Sequence, residues 1–190
     1  MFRIVIPVLL FSLLISCNNS VNEEEKIGPI EAKYVLPFPV GKSYYCSQGF
    51  NTSYSHQGTF KYSVDFGMPI GTLITAARAG RVVYLVENFP DEYAIGNENV
   101  VIVMHEDSTF ARYSHLTTNG ALVTLNQSVI AGDTIGLSGN SGQSSHPHLH
   151  FDVTKTFSGR SDMTIPFDFI NASPRPVGFN AGRFYEALEL

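Results

Sequence analysis

Cysteine is almost absent from this sequence: of 190 residues only Cys17 and Cys46 carry a thiol. That excludes the disulfide framework of many small secreted domains, and no Cys-x-x-Cys pair offers a structural zinc site. Charge is also scarce, at 15% of residues, and its balance is acidic, with a formal net charge of -5. No basic stripe is left to neutralise a phosphate backbone, which excludes nucleic acid as a partner. No long 3.6-residue pattern calls for helices. The glycine-rich stretch "GLSGNSGQSSHP" has no lysine after its glycines and no helical pattern behind it, so it is not a phosphate-binding loop. The serines are many, yet no Gly-x-Ser-x-Gly elbow accompanies them.

What is present suits one globular domain with an appendage, since 44% of residues are hydrophobic and the length allows a single sizeable core. The opening "MFRIVIPVLLFSLLISC" has one basic residue, Arg3, a short apolar run over residues 4–15 and small Ser16 before Cys17. It reads as a secretory signal, too short for a comfortable membrane span. Leu14, Ile15, Ser16 and Cys17 resemble the bacterial lipobox, which implies cleavage before Cys17 and attachment of lipid to it, a membrane anchor for the mature chain. The plainer alternative is an ordinary signal with Cys17 incidental. With Cys17 lipidated, Cys46 has no partner and is expected to be a small buried apolar residue. Residues 18–35, with the run Glu23, Glu24 and Glu25, read as a solvated tether. The expected divisions are a signal at 1–16, the lipidated cysteine and tether at 17–36, one domain at 37–172 and an extension at 173–190. Asn18 after the lipobox and the acidic "NEEE" favour the outer membrane of a bacterial envelope over the inner one.

From Tyr44 onward, short β-favouring runs are punctuated by Gly, Asn, Asp and Ser. "KYSVDFGM" alternates, with Tyr62, Val64 and Phe66 on one face and Ser63 and Asp65 on the other. "GRVVYLV" follows Gly80, "NVVIVMH" is apolar enough for burial on both faces, and "TFARYSHL" makes a hairpin partner for it across "EDS". Two short strands flank residues 131–133, and "PHLHFDVT" supplies another. "PRPVGFNAGRFYEALEL" reads as irregular, ending in a helical turn or two. The fold class expected is all-β: an antiparallel sandwich or open barrel.

Three of the six histidines fall within "SSHPHLHFDV". On a strand, His148, His150 and Asp152 share one face, while Leu149, Phe151 and Val153 point to the core. A catalytic zinc takes three protein ligands and leaves a position for water, so further ligands must come from elsewhere. The candidates are His56 in "SYSHQGTF" and Asp65, a poor strand former between core-facing Val64 and Phe66. His115 in "ARYSHL" lies near a strand end, His105 reads as a surface residue and His146 as loop. Tyr54 and Tyr113 flank the site in sequence, and either phenol could serve an oxyanion or simply pack.

"VDFGMPIGTLITAARAGRVVYL", "YSHL" and "IGLSGNSGQSSHPHLHFDV", in that order, resemble the signatures of the lysostaphin-type zinc endopeptidases, which cut peptides of bacterial peptidoglycan. The resemblance runs over residues 39–169. It implies one zinc per chain held by His56, Asp65 and His150 in a groove, with His115 and His148 as unligated catalytic histidines, peptidoglycan peptides as substrate and cell-wall remodelling as the role. The alternative is a catalytically inactive envelope lipoprotein that binds peptidoglycan or activates another wall hydrolase. One departure stands out: the family's first motif has three residues between its histidine and aspartate, whereas "QGTFKYSV" separates His56 from Asp65. Either His56 reaches back through a longer loop, in which Gly58 makes the turn, or a ligand is missing; the longer loop is the expectation.

Overall fold

A computed structural model describes residues 34–158, 162–175 and 179–190. The expected signal, Cys17 and the acidic run therefore lie outside the described residues. Among the described residues twelve strands carry the fold: β1 (Ser43–Gln48), β2 (Val64–Gly67), β3 (Leu73–Thr75), β4 (Gly80–Val86), β5 (Val100–Met104), β6 (Phe110–Ser114), β7 (Leu116–Ala121), β8 (Ser128–Val129), β9 (Thr134–Ser138), β10 (His148–Thr154), β11 (Ala172–Ser173) and β12 (Arg183–Ala187). The helical content of the described residues is a single 3-10 turn at Gly58–Phe60. No helix among them is long and apolar enough to cross a membrane.

Nine strands form one antiparallel sheet in the order β11-β12-β1-β2-β10-β6-β5-β4-β8, and β3-β9-β7 form a second. The all-β antiparallel architecture read from the sequence is the one observed. Alternation explains which way each strand faces: Leu149, Phe151 and Val153 of β10, Val64 and Phe66 of β2, and Ala111 and Tyr113 of β6 all lie in one buried cluster. Ile74, Leu116 and Ile135 of the smaller sheet belong to the same cluster. Burying side chains of this size stabilises by roughly 1.5–3 kcal/mol each, so one face of the large sheet is committed to the core. The opposite face of β2, β10 and β6 is left for polar side chains.

Tyr34 and Leu36, read from the sequence as tether, are 3% and 0% exposed and belong to the core. Tyr34 forms a bridge to Phe169. The C-terminal segment read as helical is instead β12, paired antiparallel with β1 and β11. Its period is two: Phe184 is 62% exposed, whereas Tyr185 and Ala187 are fully buried. Helix-favouring Glu and Ala lose here to the open edge of β1, whose backbone groups β12 satisfies. Cys46 behaves as expected, buried in the core.

Candidate metal centre and active site

β10 and β2 bring the first two groups together by register alone. His150 stands opposite Asp65 in the ladder, and its Nδ1 lies 2.8 Å from Asp65 Oδ1. His56 arrives from the loop before the 3-10 turn, with Nε2 3.2 Å from the same oxygen. One ligand-type atom from each of the three lies within 4.8 Å of the other two. The eight residues between His56 and Asp65 are thus taken up by a loop and a turn, and the longer first motif still delivers its histidine to its aspartate.

Proton positions decide what such a cluster can hold. His56 Nδ1 lies 3.0 Å from the Gly49 carbonyl oxygen, which only accepts, so Nδ1 carries the proton and Nε2 offers a lone pair. That lone pair faces a carboxylate oxygen, another acceptor, and His56 Nε2 is a buried atom with no hydrogen-bond partner. His150 Nε2 lies 3.1 Å from Asp152 Oδ2. When that contact is an N–H donation, the neutral ring turns a third lone pair, Nδ1, toward the same point. Two imidazole nitrogens and one carboxylate oxygen converging on one spot, once His150 gives up its second proton, are the donor set of a catalytic zinc site.

The neighbours hold these groups in place. Gln48 Nε2 donates to Asp65 Oδ2 at 2.6 Å, which leaves Oδ1 to the cluster. Gly49 must lack a side chain, because a Cβ there would stand 2.0 Å from the Phe179 carbonyl oxygen; its own carbonyl is therefore free to sit close and orient His56. Burial alone would raise the Asp65 pKa, but the hydrogen bond from His150, the approach of His56 and the charges of His150 and His148 hold it well below the usual carboxylate range. Burial would lower that of His150, but Asp152 and Asp65 on its two sides raise it to about 10. The pair is thus an imidazolium between two carboxylates until a metal displaces the proton.

His115 and His148 complete the group. His115 follows β6 with φ of 62°, a left-handed conformation that costs a non-glycine residue free energy and that recurs at functional sites. Its Nδ1 donates to the Ser141 carbonyl at 2.8 Å. His148 donates from Nδ1 to the His146 carbonyl at 2.8 Å, and its Nε2 lies 3.8 Å from Asp65 Oδ1. Both rings therefore keep Nε2 as the available nitrogen. Their centroids are 4.7 Å apart. Burial, then the charges of His148 and His150, push His115 down to about 3. Burial also lowers His148, against the pull of Asp65. Both are neutral bases at pH 7.

The cluster opens into a cavity of about 390 Å³ whose walls include His56, Phe60, Ile95, Glu98, Arg112 and His115. The surface expectation for His105 is corrected, and for Tyr113 the packing alternative is the one observed. His105 is 2% exposed rather than at the surface, held by the Ala79 carbonyl at 2.8 Å. Tyr113 is fully buried and its hydroxyl accepts from the Ala77 N–H, so it packs in the core and serves no oxyanion. Tyr54 is 82% exposed. Gln48 and Gly49 were not singled out from the sequence; nothing in "CSQGF" distinguishes them until β1 pairs with β2 and sets Gln48 opposite Asp65.

Comparison with known proteins finds relatives over most of this domain. The chain is 36% identical over 120 residues to the peptidoglycan DD-endopeptidase ShyA of Vibrio cholerae, covering 61% of this chain and 26% of that protein. It is 34% identical over 113 residues to the glycyl-glycine endopeptidase ALE-1 of Staphylococcus capitis, covering 59% and 29% respectively. The chain thus spans under a third of the length of these relatives. The structure of the antimicrobial peptidase lysostaphin from Staphylococcus simulans matches with a TM-score of 0.51 and 27% identity, covering 65% of this chain and 47% of that one. Residues 59–162, more than half of the chain, match the family described as peptidase family M23. That match starts three residues past His56 and contains Asp65, His115, His148 and His150. The protein therefore belongs to peptidase family M23, a family of zinc metalloproteases.

Proposed function

We propose that the protein is a zinc-dependent endopeptidase that hydrolyses peptide bonds in bacterial peptidoglycan, with His56, Asp65 and His150 as metal ligands and His115 and His148 as proton-handling groups. The observation that carries this reading is the convergence of one ligand-type atom from each of those three residues within 4.8 Å of one another, beside two neutral imidazoles. A bound zinc supplies the Lewis acid that polarises a carbonyl and lowers the pKa of water.

The chain's own residues do the rest. His148 Nε2 accepts the proton of the attacking water, because Asp65 beside it favours the protonated ring. His115 lies among His148 and His150, whose charges disfavour its protonated form; once protonated it is a strong donor to the developing oxyanion or the leaving amine. Gln48 and the Gly49 carbonyl keep Asp65 and His56 from turning away. Envelope localisation follows from the substrate. Lipid attachment at Cys17, and with it an outer-membrane position, is read from the sequence: the signal and the cysteine directly behind it support that part.

The test is incubation of the purified chain with peptidoglycan and mass analysis of the released products. Release of peptides whose masses report one broken peptide bond, stopped by a chelator and restored by zinc, is expected. Zinc binding without release would contradict the endopeptidase reading and favour a wall-binding or activator protein.

A further inference from the structure

The outer face of the large sheet continues past the histidines, and its chemistry changes strand by strand. On β6, Ser114 stands opposite His150 and Arg112 opposite Asp152. On β5, Val100 and Ile102 stand opposite Ser114 and Arg112, and on β4, Val86 and Tyr84 stand opposite Val100 and Ile102. Directly paired residues share a face, so this surface runs from imidazoles through one cation to an aliphatic patch. Two cavities follow it, one of about 390 Å³ over the histidines and one of about 350 Å³ over the patch. Arg112 and Glu98 line both.

Arg112 has an ion pair with Asp152 and its guanidinium carbon 6.0 Å from the Phe60 ring centroid, yet these contacts leave its hydrogen-bonding capacity unused. Its guanidinium is always charged, and burying a charge is costly unless it is both paired and hydrogen-bonded. The side chain is 7% exposed, and Nε lies 3.6 Å from Asp152 Oδ1, with neither atom hydrogen-bonded. The other oxygen of Asp152 is taken by His150. Asp162 also feels the charge of Arg112, but its oxygens accept from Thr156 and Ser158. Counter-charge is therefore near, while the planar fork that matches a carboxylate with two parallel hydrogen bonds has no such partner among the described residues.

We propose that Arg112 binds a free carboxylate of the substrate, next to the scissile bond, and that the aliphatic patch takes the hydrocarbon side chain of the same residue. Glu98, which faces the same junction, accepts from the amide N–H beside that carboxylate. Residues two apart on an extended chain are separated by about 6–7 Å, so Arg112 lies within about two peptide residues of His150 along β6. This rests on the endopeptidase reading and narrows it: a glycine bridge has neither an internal carboxylate nor a side chain, whereas a stem-peptide crosslink through a diamino dicarboxylic acid has both.

The test uses the zinc-loaded full chain and two synthetic probes. One is the stem-peptide product with a free α-carboxylate on the residue from the amine side of the cut; the other is the same peptide as its carboxamide. Calorimetry on the wild type is expected to show the acid binding about tenfold or more tighter than the amide, as a lost charge-assisted hydrogen-bond pair implies. Arg112→Gln is expected to erase that preference and Arg112→Lys to keep part of it, with zinc content confirming that each variant folds. Equal binding of acid and amide by the wild type overturns the proposal whatever the variants do. Hydrolysis of the crosslinked stem dimer and of pentaglycine is followed alongside. If the acid binds through Arg112 but neither substrate is cut, the endopeptidase reading fails and the carboxylate site stands. If pentaglycine is cut and the acid and amide probes bind alike, the carboxylate site fails and the endopeptidase reading stands.

Discussion

His150 Nδ1 and His56 Nε2 lie 2.8 and 3.2 Å from one and the same oxygen, Oδ1 of Asp65. The two contacts differ in kind. His56 Nε2 is a lone pair aimed at an acceptor, since its proton sits on Nδ1 against Gly49. A cation bound between them makes that contact favourable, and a zinc ion held here would supply it.

Zinc binding should therefore expel the proton that His150 holds, its pKa being raised to about 10 by Asp152 and Asp65 against the cost of burial. Titration calorimetry at pH 7 in buffers of different ionisation enthalpy is expected to report about one proton released per zinc. A buffer-independent enthalpy would mean that His150 is neutral before the metal arrives.

Asp152 is fully buried and touches His150 on the side away from Asp65. It fixes which nitrogen faces the cluster, so Asp152→Asn should weaken zinc binding by roughly 10–100-fold. Chelator competition measures this directly, and unchanged affinity would remove Asp152 from the account.

The two histidines proposed to handle protons should separate from the proposed ligands by phenotype. His148→Ala should lower kcat by roughly 10²–10⁴-fold with zinc content unchanged, because the other ring nitrogens of the cluster remain. Loss of zinc in that variant would show His148 to be a ligand.

Gly49→Ala tests the loop that carries His56. A Cβ at 2.0 Å from the Phe179 carbonyl forces the backbone apart, which should destabilise the protein by about 1–3 kcal/mol. The displaced carbonyl no longer orients His56, so zinc affinity should fall as well. A melting temperature and affinity equal to those of the wild type would contradict the proposed fit.

Stability of the metal-stripped protein should peak near pH 6.5. His115 is depressed from 6.5 to about 3, mainly by burial, so the folded state resists its protonation and stability falls as pH drops through that range. Asp65, held low by its histidines, adds a loss as pH falls below 3.8 toward its folded value. His150 is raised from 6.5 to about 10, so its contribution is complete below 6.5 and is lost as pH climbs through 10. Melting temperatures across pH 3–10 that rise monotonically would refute this balance.

The alternation in "PHLHFDVT" was enough to place His148, His150 and Asp152 on one face, because period two is dictated by the strand backbone. The β5–β6 hairpin was equally legible from its turn residues. The approach of His56 to Asp65 was legible from the family resemblance and not from the spacing, since loop paths depend on what the loop packs against. β12 was not legible: "RFYEALEL" has helical propensities, and only the unpaired edge of β1 makes it a strand. His105 has the sequence surroundings of a solvated turn residue, and only the fold brings the Ala79 carbonyl over it.

The most direct test of the central claim is the zinc content of the full chain beside that of His56→Ala. About one zinc per wild-type chain and little or none in the variant is predicted, with peptide release from peptidoglycan lost in step. A His56→Ala protein that keeps its full zinc and cuts as before would contradict the ligand set and leave the extended first motif without its proposed role.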